Sequence, residues 1–83
     1  SDASYYYNRI ITDYPNTKYA YLAMIYLADQ LYMMGDEKKA FKLYKKALYS
    51  TTDLDIASLA AARLAQRYMD KGQVKKAIEY YEK

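Results

Sequence analysis

The chain contains no cysteine, histidine or tryptophan, a single proline and only two glycines. Without cysteine there are no disulfides and no thiolate metal sites. With histidine missing as well, the common nucleophile–base pairs of covalent catalysis are unavailable. The scarcity of proline and glycine argues against a turn-rich β fold and for helices. No stretch approaches the ~18 consecutive apolar residues of a membrane span. The opening Ser1-Asp2-Ala3-Ser4 is polar and carries no signal-peptide pattern. Charge of one sign is also modest: thirteen basic residues against ten acidic ones leave +3 over 83 residues. Dedicated nucleic-acid modules concentrate a larger excess.

What the chain has in quantity is apolar surface, 53% of residues, and tyrosine, thirteen of them. That is enough to bury a core in one small domain. Tyrosine can bury its ring and still leave its hydroxyl at the surface. The tyrosines are also periodic. Ala3…Tyr7 recurs as Ala40…Tyr44 and as Ala77…Tyr81, and Gly35 and Gly72 stand at the same spacing of 37 residues. A fixed period of this size denotes a stack of equivalent structural units.

Helical spacing of apolar residues predicts five helices. The first runs from Ala3 to about Asp13 and stops before Pro15, with Asn16 or Thr17 capping the next. The second, Lys18 to Met34, carries too many apolar positions for one stripe (Leu22, Met24, Ile25, Leu27, Ala28, Leu31) and must touch neighbours on more than one side. Gly35 closes it and Asp36 caps a third, Glu37 to Tyr49. A fourth spans Asp53 to Asp70, with Thr52 and Asp55 close to a capping-box pair; Gly72 closes it. A fifth runs from Gln73 to the last residue with its pattern still in progress, which reads as a truncated repeat. Short connections make successive helices antiparallel neighbours. Ala40 and Ala77 mark close helix crossings, and Tyr7, Tyr44 and Tyr81 fill equivalent slots between hairpins.

Leu27-Ala28, Leu31, Gly35-Asp36, Ala40, Tyr44 and Ala47-Leu48 resemble one tetratricopeptide repeat. Leu64-Ala65, Tyr68, Gly72, Ala77 and Tyr81 resemble a second, and Ala3, Tyr7, Ile10 and Pro15 the closing helix of a preceding one. Met24 and Ala61 stand where that family often has tryptophan, and the period exceeds its usual ~34 residues. The run from Tyr5 to Ala20, with Tyr14-Pro15 at its centre, is similar to linkages in bacterial envelope members of the family. These include outer-membrane assembly lipoproteins and the Tol–Pal coordinator. That likeness implies an extracytoplasmic module, although cytosolic relatives share the phrase.

The resemblance implies an all-α, right-handed superhelical stack of antiparallel helix pairs. Residues 1–16 would close a preceding repeat, 17–52 form the first complete one, and 53–83 a second cut short. It also implies a concave groove lined by the first helix of each hairpin. Carried across, the groove positions are Leu22, Ile25, Tyr26, Asp29, Tyr32 and Met33, then Leu59, Ala62, Arg63, Gln66 and Met69. Ile25 and Asp29 stand where chaperone-binding members place a lysine–asparagine carboxylate clamp, so that subclass is disfavoured. The expected ligand is a peptide or helix held by apolar contact and oriented by Asp29 and Arg63. The alternative for Ile25, Leu59 and Met69 is packing against flanking helices.

Lys38, Lys39, Lys42, Lys45 and Lys46 form a basic row, with Lys71, Lys75 and Lys76 as potential neighbours. It reads as a solvated face, or alternatively as a contact for an anionic surface. Asp53-Leu54-Asp55 is helix-start chemistry rather than a metal site, and Ser4, Ser50 and Ser58 suit turns and caps. The expectation is therefore a non-catalytic protein-interaction module without metal or cofactor. Self-association through exposed repeat ends is the structural alternative.

Overall fold

The computed structural model describes residues 2–83 and, among them, five helices and no strand: α1 (Asp2–Asp13), α2 (Lys18–Met33), α3 (Glu37–Ser50), α4 (Leu54–Asp70) and α5 (Val74–Tyr81). The fold is an all-α helical repeat. Each boundary has a local cause. Thr17 caps α2, its Oγ1 accepting from the Ala20 amide at 3.2 Å while its hydroxyl donates to the Tyr14 carbonyl. Asn16, just before it, takes a left-handed φ of 62°, a conformation asparagine tolerates better than most residues. Asp36 caps α3 by accepting from the Lys39 amide.

At α4 the cap is Asp53 rather than the expected Thr52. Its carboxylate accepts from the Ile56 amide at 3.0 Å, and Thr51 Oγ1 accepts from the Asp53 amide. An ionised acceptor at the positive end of a helix is the stronger choice. The α2 and α4 helices end alike. Gly35 has φ +92° and Gly72 +74°, and the following amides, Asp36 and Gln73, return to the carbonyls of Leu31 and Tyr68 at 2.8 and 2.9 Å. These are Schellman closures, which need the left-handed residue glycine supplies. The last helix stops at Tyr81 instead of running to Lys83.

Successive helices pack on one another, and α2 also touches α4. The result is a slab of 36 × 28 × 14 Å. The many-sided apolar character of α2 follows: Ala20, Tyr21, Ala23, Met24, Ile25, Leu27 and Ala28 are all buried between α1, α3 and α4. Ala40, Ala47, Ala60, Ala65 and Ala77 are buried without remainder, and their small side chains let the helices approach. The three periodic tyrosines differ. Tyr44 is fully buried, Tyr7 half-buried and Tyr81 57% exposed. Tyr44 is roofed by α4, whereas among the described residues no later helix covers Tyr81.

Candidate interaction groove

The face shared by α2 and α4 is organised by one carboxylate. Asp29 lies a quarter exposed on α2, where it receives the Tyr44 hydroxyl from α3 and the Nε hydrogen of Arg63, at 3.1 Å from both carboxylate oxygens. Arg67, only 15% exposed, adds a contact from Nη2 at 3.4 Å and donates from Nε to the Tyr44 hydroxyl at 3.2 Å. Its guanidinium also lies over the Tyr32 ring, 4.2 Å from the centroid, and pairs with Asp70 at 3.6 Å. One α2 acid, one α3 phenol and two α4 arginines thus tie three helices together.

Burial of the Tyr44 ring pushes its hydroxyl pKa far above the ordinary tyrosine value, and donation to Asp29 pushes it the same way. For Arg67, burial opposes the charge, but the Tyr44 hydroxyl and Asp29 more than offset that and raise its pKa. The Tyr44 hydroxyl therefore stays neutral and Arg67 stays charged across the physiological range.

The sequence-derived positions divide into separate environments. Asp29, Ala62, Arg63 and Gln66 come together around a cavity of about 450 Å³, which Arg67 and Tyr81 complete. Leu22 and Tyr26 border a different, smaller hollow with Tyr7, Ile10 and Tyr19, where Tyr7 and Tyr26 rings lie 5.9 Å apart. Met33, 78% exposed, borders a third with Asp29, Gln30 and Met34. Met69 is exposed, Leu59 is half-buried against the core, and Tyr32 is held between Phe41 and Arg67.

Ile25 is a correction. It is fully buried in the same cluster as Ala60 and Leu64 of α4, so it is core and offers no surface to a ligand. Its counterpart one period later, Ala62, is exposed because no further helix covers it among the described residues. Asp29 and Arg63, expected to orient a partner, pair with each other in this structure, and Asp29 also receives Tyr44 and Arg67. Arg67 was missed by sequence reasoning. Its signal was the i, i+4 spacing from Arg63, which puts both guanidinium groups on one side of α4.

Stacked helical hairpins with an open, mixed polar and apolar face define a repeat scaffold whose chemistry is recognition. The chain matches the model of the tetratricopeptide repeat-like domain over residues 1–83 and belongs to that family. Members of the family are typically non-catalytic protein-interaction modules. No curated protein and no solved structure gives a significant match.

Proposed function

We propose that the α2–α4 face holds a peptide or short helix from a partner protein, and that the chain serves as part of a longer array. The observation carrying this reading is the contrast within the face. The charges at its centre are already paired, while Met33, Ala62, Gln66 and Met69 around it, and Tyr26 further along α2, remain exposed. An already paired centre needs no desolvation of a lone charge when a ligand covers it. Arg63 engages Asp29 through Nε alone among the described residues, so its terminal amines remain donors for a ligand's backbone carbonyls. Apolar contact then comes from the methionines and Tyr26, residue types favoured at adaptable interfaces.

The test begins with peptides selected from a random display library on the immobilised domain. The expectation is that Met33→Glu with Met69→Glu removes their binding while the far-ultraviolet circular dichroism is retained. Because both methionines are exposed, these changes leave the fold intact. Binding that survives both substitutions refutes the groove. Ile25 is unsuitable for this experiment, as a charge there would unfold the chain.

A second reading rests on Ile78 and Tyr81. They stand one period after Phe41 and Tyr44, which pack against α4 residues Tyr68 and Arg67, yet both are about half exposed. That end of the stack is shaped to receive another hairpin, from a later repeat or from a second copy. Light scattering that stays at monomer mass as concentration rises removes the second-copy version.

A further inference from the structure

The 37-residue period sets up an internal comparison between two troughs on the molecule. The backbones of α1 and α3 do not approach each other, and α2 floors the gap between them; α3 and α5 flank α4 in the same way. The second trough is plugged. Phe41 packs on Tyr68 at 4.8 Å, Tyr68 stacks on Tyr80 at 5.5 Å, and the Lys83 ammonium lies over both the Tyr80 and the Tyr49 rings. The ammonium of Lys76 rests over the Tyr68 ring.

One period earlier, the residues at the Phe41, Tyr68, Tyr80 and Tyr49 positions are Ser4, Leu31, Leu43 and Thr12. The rings are gone and the first trough is open, a cavity of about 590 Å³ walled largely by aliphatic side chains. The lysines persist without their rings. Lys39 and Lys46 correspond to Lys76 and Lys83, while Lys42 replaces Glu79 and adds a third positive charge on the same rim. Among the described residues the one ion pair recorded for these three is Lys39 with Asp36, at 3.9 Å.

We propose that this trough binds a single-chain aliphatic carboxylate, its chain along the α2 floor and its head against Lys42 and Lys46. The volume falls within the ~300–1,000 Å³ of small-molecule sites. An extended peptide fits the chemistry badly, because its backbone groups need partners. Apart from the lysines, the polar lining is Ser4 and Asn8, whose side chains already donate to Gln30 and to the Ser4 carbonyl. A three-turn helix, ~16 Å long and ~10–12 Å across, is larger than the cavity. An alkyl chain needs no hydrogen bonds, and lysine stems can flank it while their ammoniums meet the head group. This site is separate from the α2–α4 face, and its test is independent of that reading.

The experiment titrates the ¹⁵N-labelled protein with sodium dodecanoate below its micelle concentration. Saturable shifts are expected at the Leu27, Leu31, Leu43 and Lys46 amides. Dodecyltrimethylammonium, with the same chain and the opposite charge, should bind about fivefold or more weakly, and Lys42→Glu with Lys46→Glu should invert that order. Ser4→Phe with Leu31→Tyr and Leu43→Tyr, which copies the second trough into the first, should abolish binding without loss of helicity. Should that triple change fail to fold, the exposed rim pair decides. Absence of shifts, shifts confined to the α2–α4 face, equal affinity for both head groups, or binding that survives the ring plug overturns the proposal. So does a site that takes an acidic helical peptide but not dodecanoate.

Discussion

Replacing Tyr44 by phenylalanine isolates the clamp that joins α2, α3 and α4. The ring stays, so the fully buried apolar volume is conserved and no cavity opens. What disappears is a hydroxyl that donates to the Asp29 carboxylate and accepts from Arg67 Nε at 3.2 Å. Both partners are charged, and hydrogen bonds to charged groups contribute about 1.5–3 kcal/mol each. The two losses are not independent, because Arg67 still reaches Asp29 and Arg63 still covers it. The expected destabilisation is therefore about 2 kcal/mol. Native chains of this length have roughly 4–12 kcal/mol of stability in total. A fall of about 8–16 °C in the melting temperature follows for a domain of this size.

The assay is urea unfolding at neutral pH followed by circular dichroism, with the slope unchanged and the midpoint lowered. Asp29→Asn, alone and combined with Tyr44→Phe, completes a double-mutant cycle. Since the two side chains share one network, their coupling should be about 1 kcal/mol or more. A loss under ~0.5 kcal/mol for Tyr44→Phe, or strict additivity with Asp29→Asn, would refute the reasoning that Asp29 is a structural hub.

Further expectations concern pH, packing and backbone. Burial raises the Tyr44 and Tyr80 pKa values above the ordinary 10.0, so the native chain keeps protons that the unfolded chain releases. Their stabilisation is thus complete below pH 10 and lost progressively above it, and alkaline titration of Tyr44→Phe should show a shallower fall. Ala40→Leu, at a position with no exposed surface, should cost ~1–3 kcal/mol in urea unfolding through overpacking of the α2–α3 crossing. Gly72→Ala meets no atom within 4 Å, so its cost should be the left-handed backbone strain alone, ~1–2 kcal/mol by the same measurement.

The sequence by itself determined whatever depends on neighbours along the chain. Helical spacing located the five helices, and Pro15 and the glycines at 35 and 72 the ends of α1, α2 and α4, because caps and Schellman closures are built from residues a few positions apart. The repetition at 37 residues was equally legible, and with it the family and the order of packing. Where two local options competed, as with Thr52 and Asp53 at the start of α4, geometry chose the carboxylate.

Only the tertiary structure decided which side chains meet across helices. Asp29 and Arg63 are 34 residues apart, and nothing local shows that they pair with each other and with Tyr44 and Arg67. Ile25 and Ala62 occupy equivalent places in the repeat, yet the first is sealed by α4 while the second lies open. The two troughs likewise share a register and differ in content, one closed by stacked rings and the other left as a cavity. Burial and pairing depend on distant segments arriving at the same place, which a pattern read along one strand of residues does not encode.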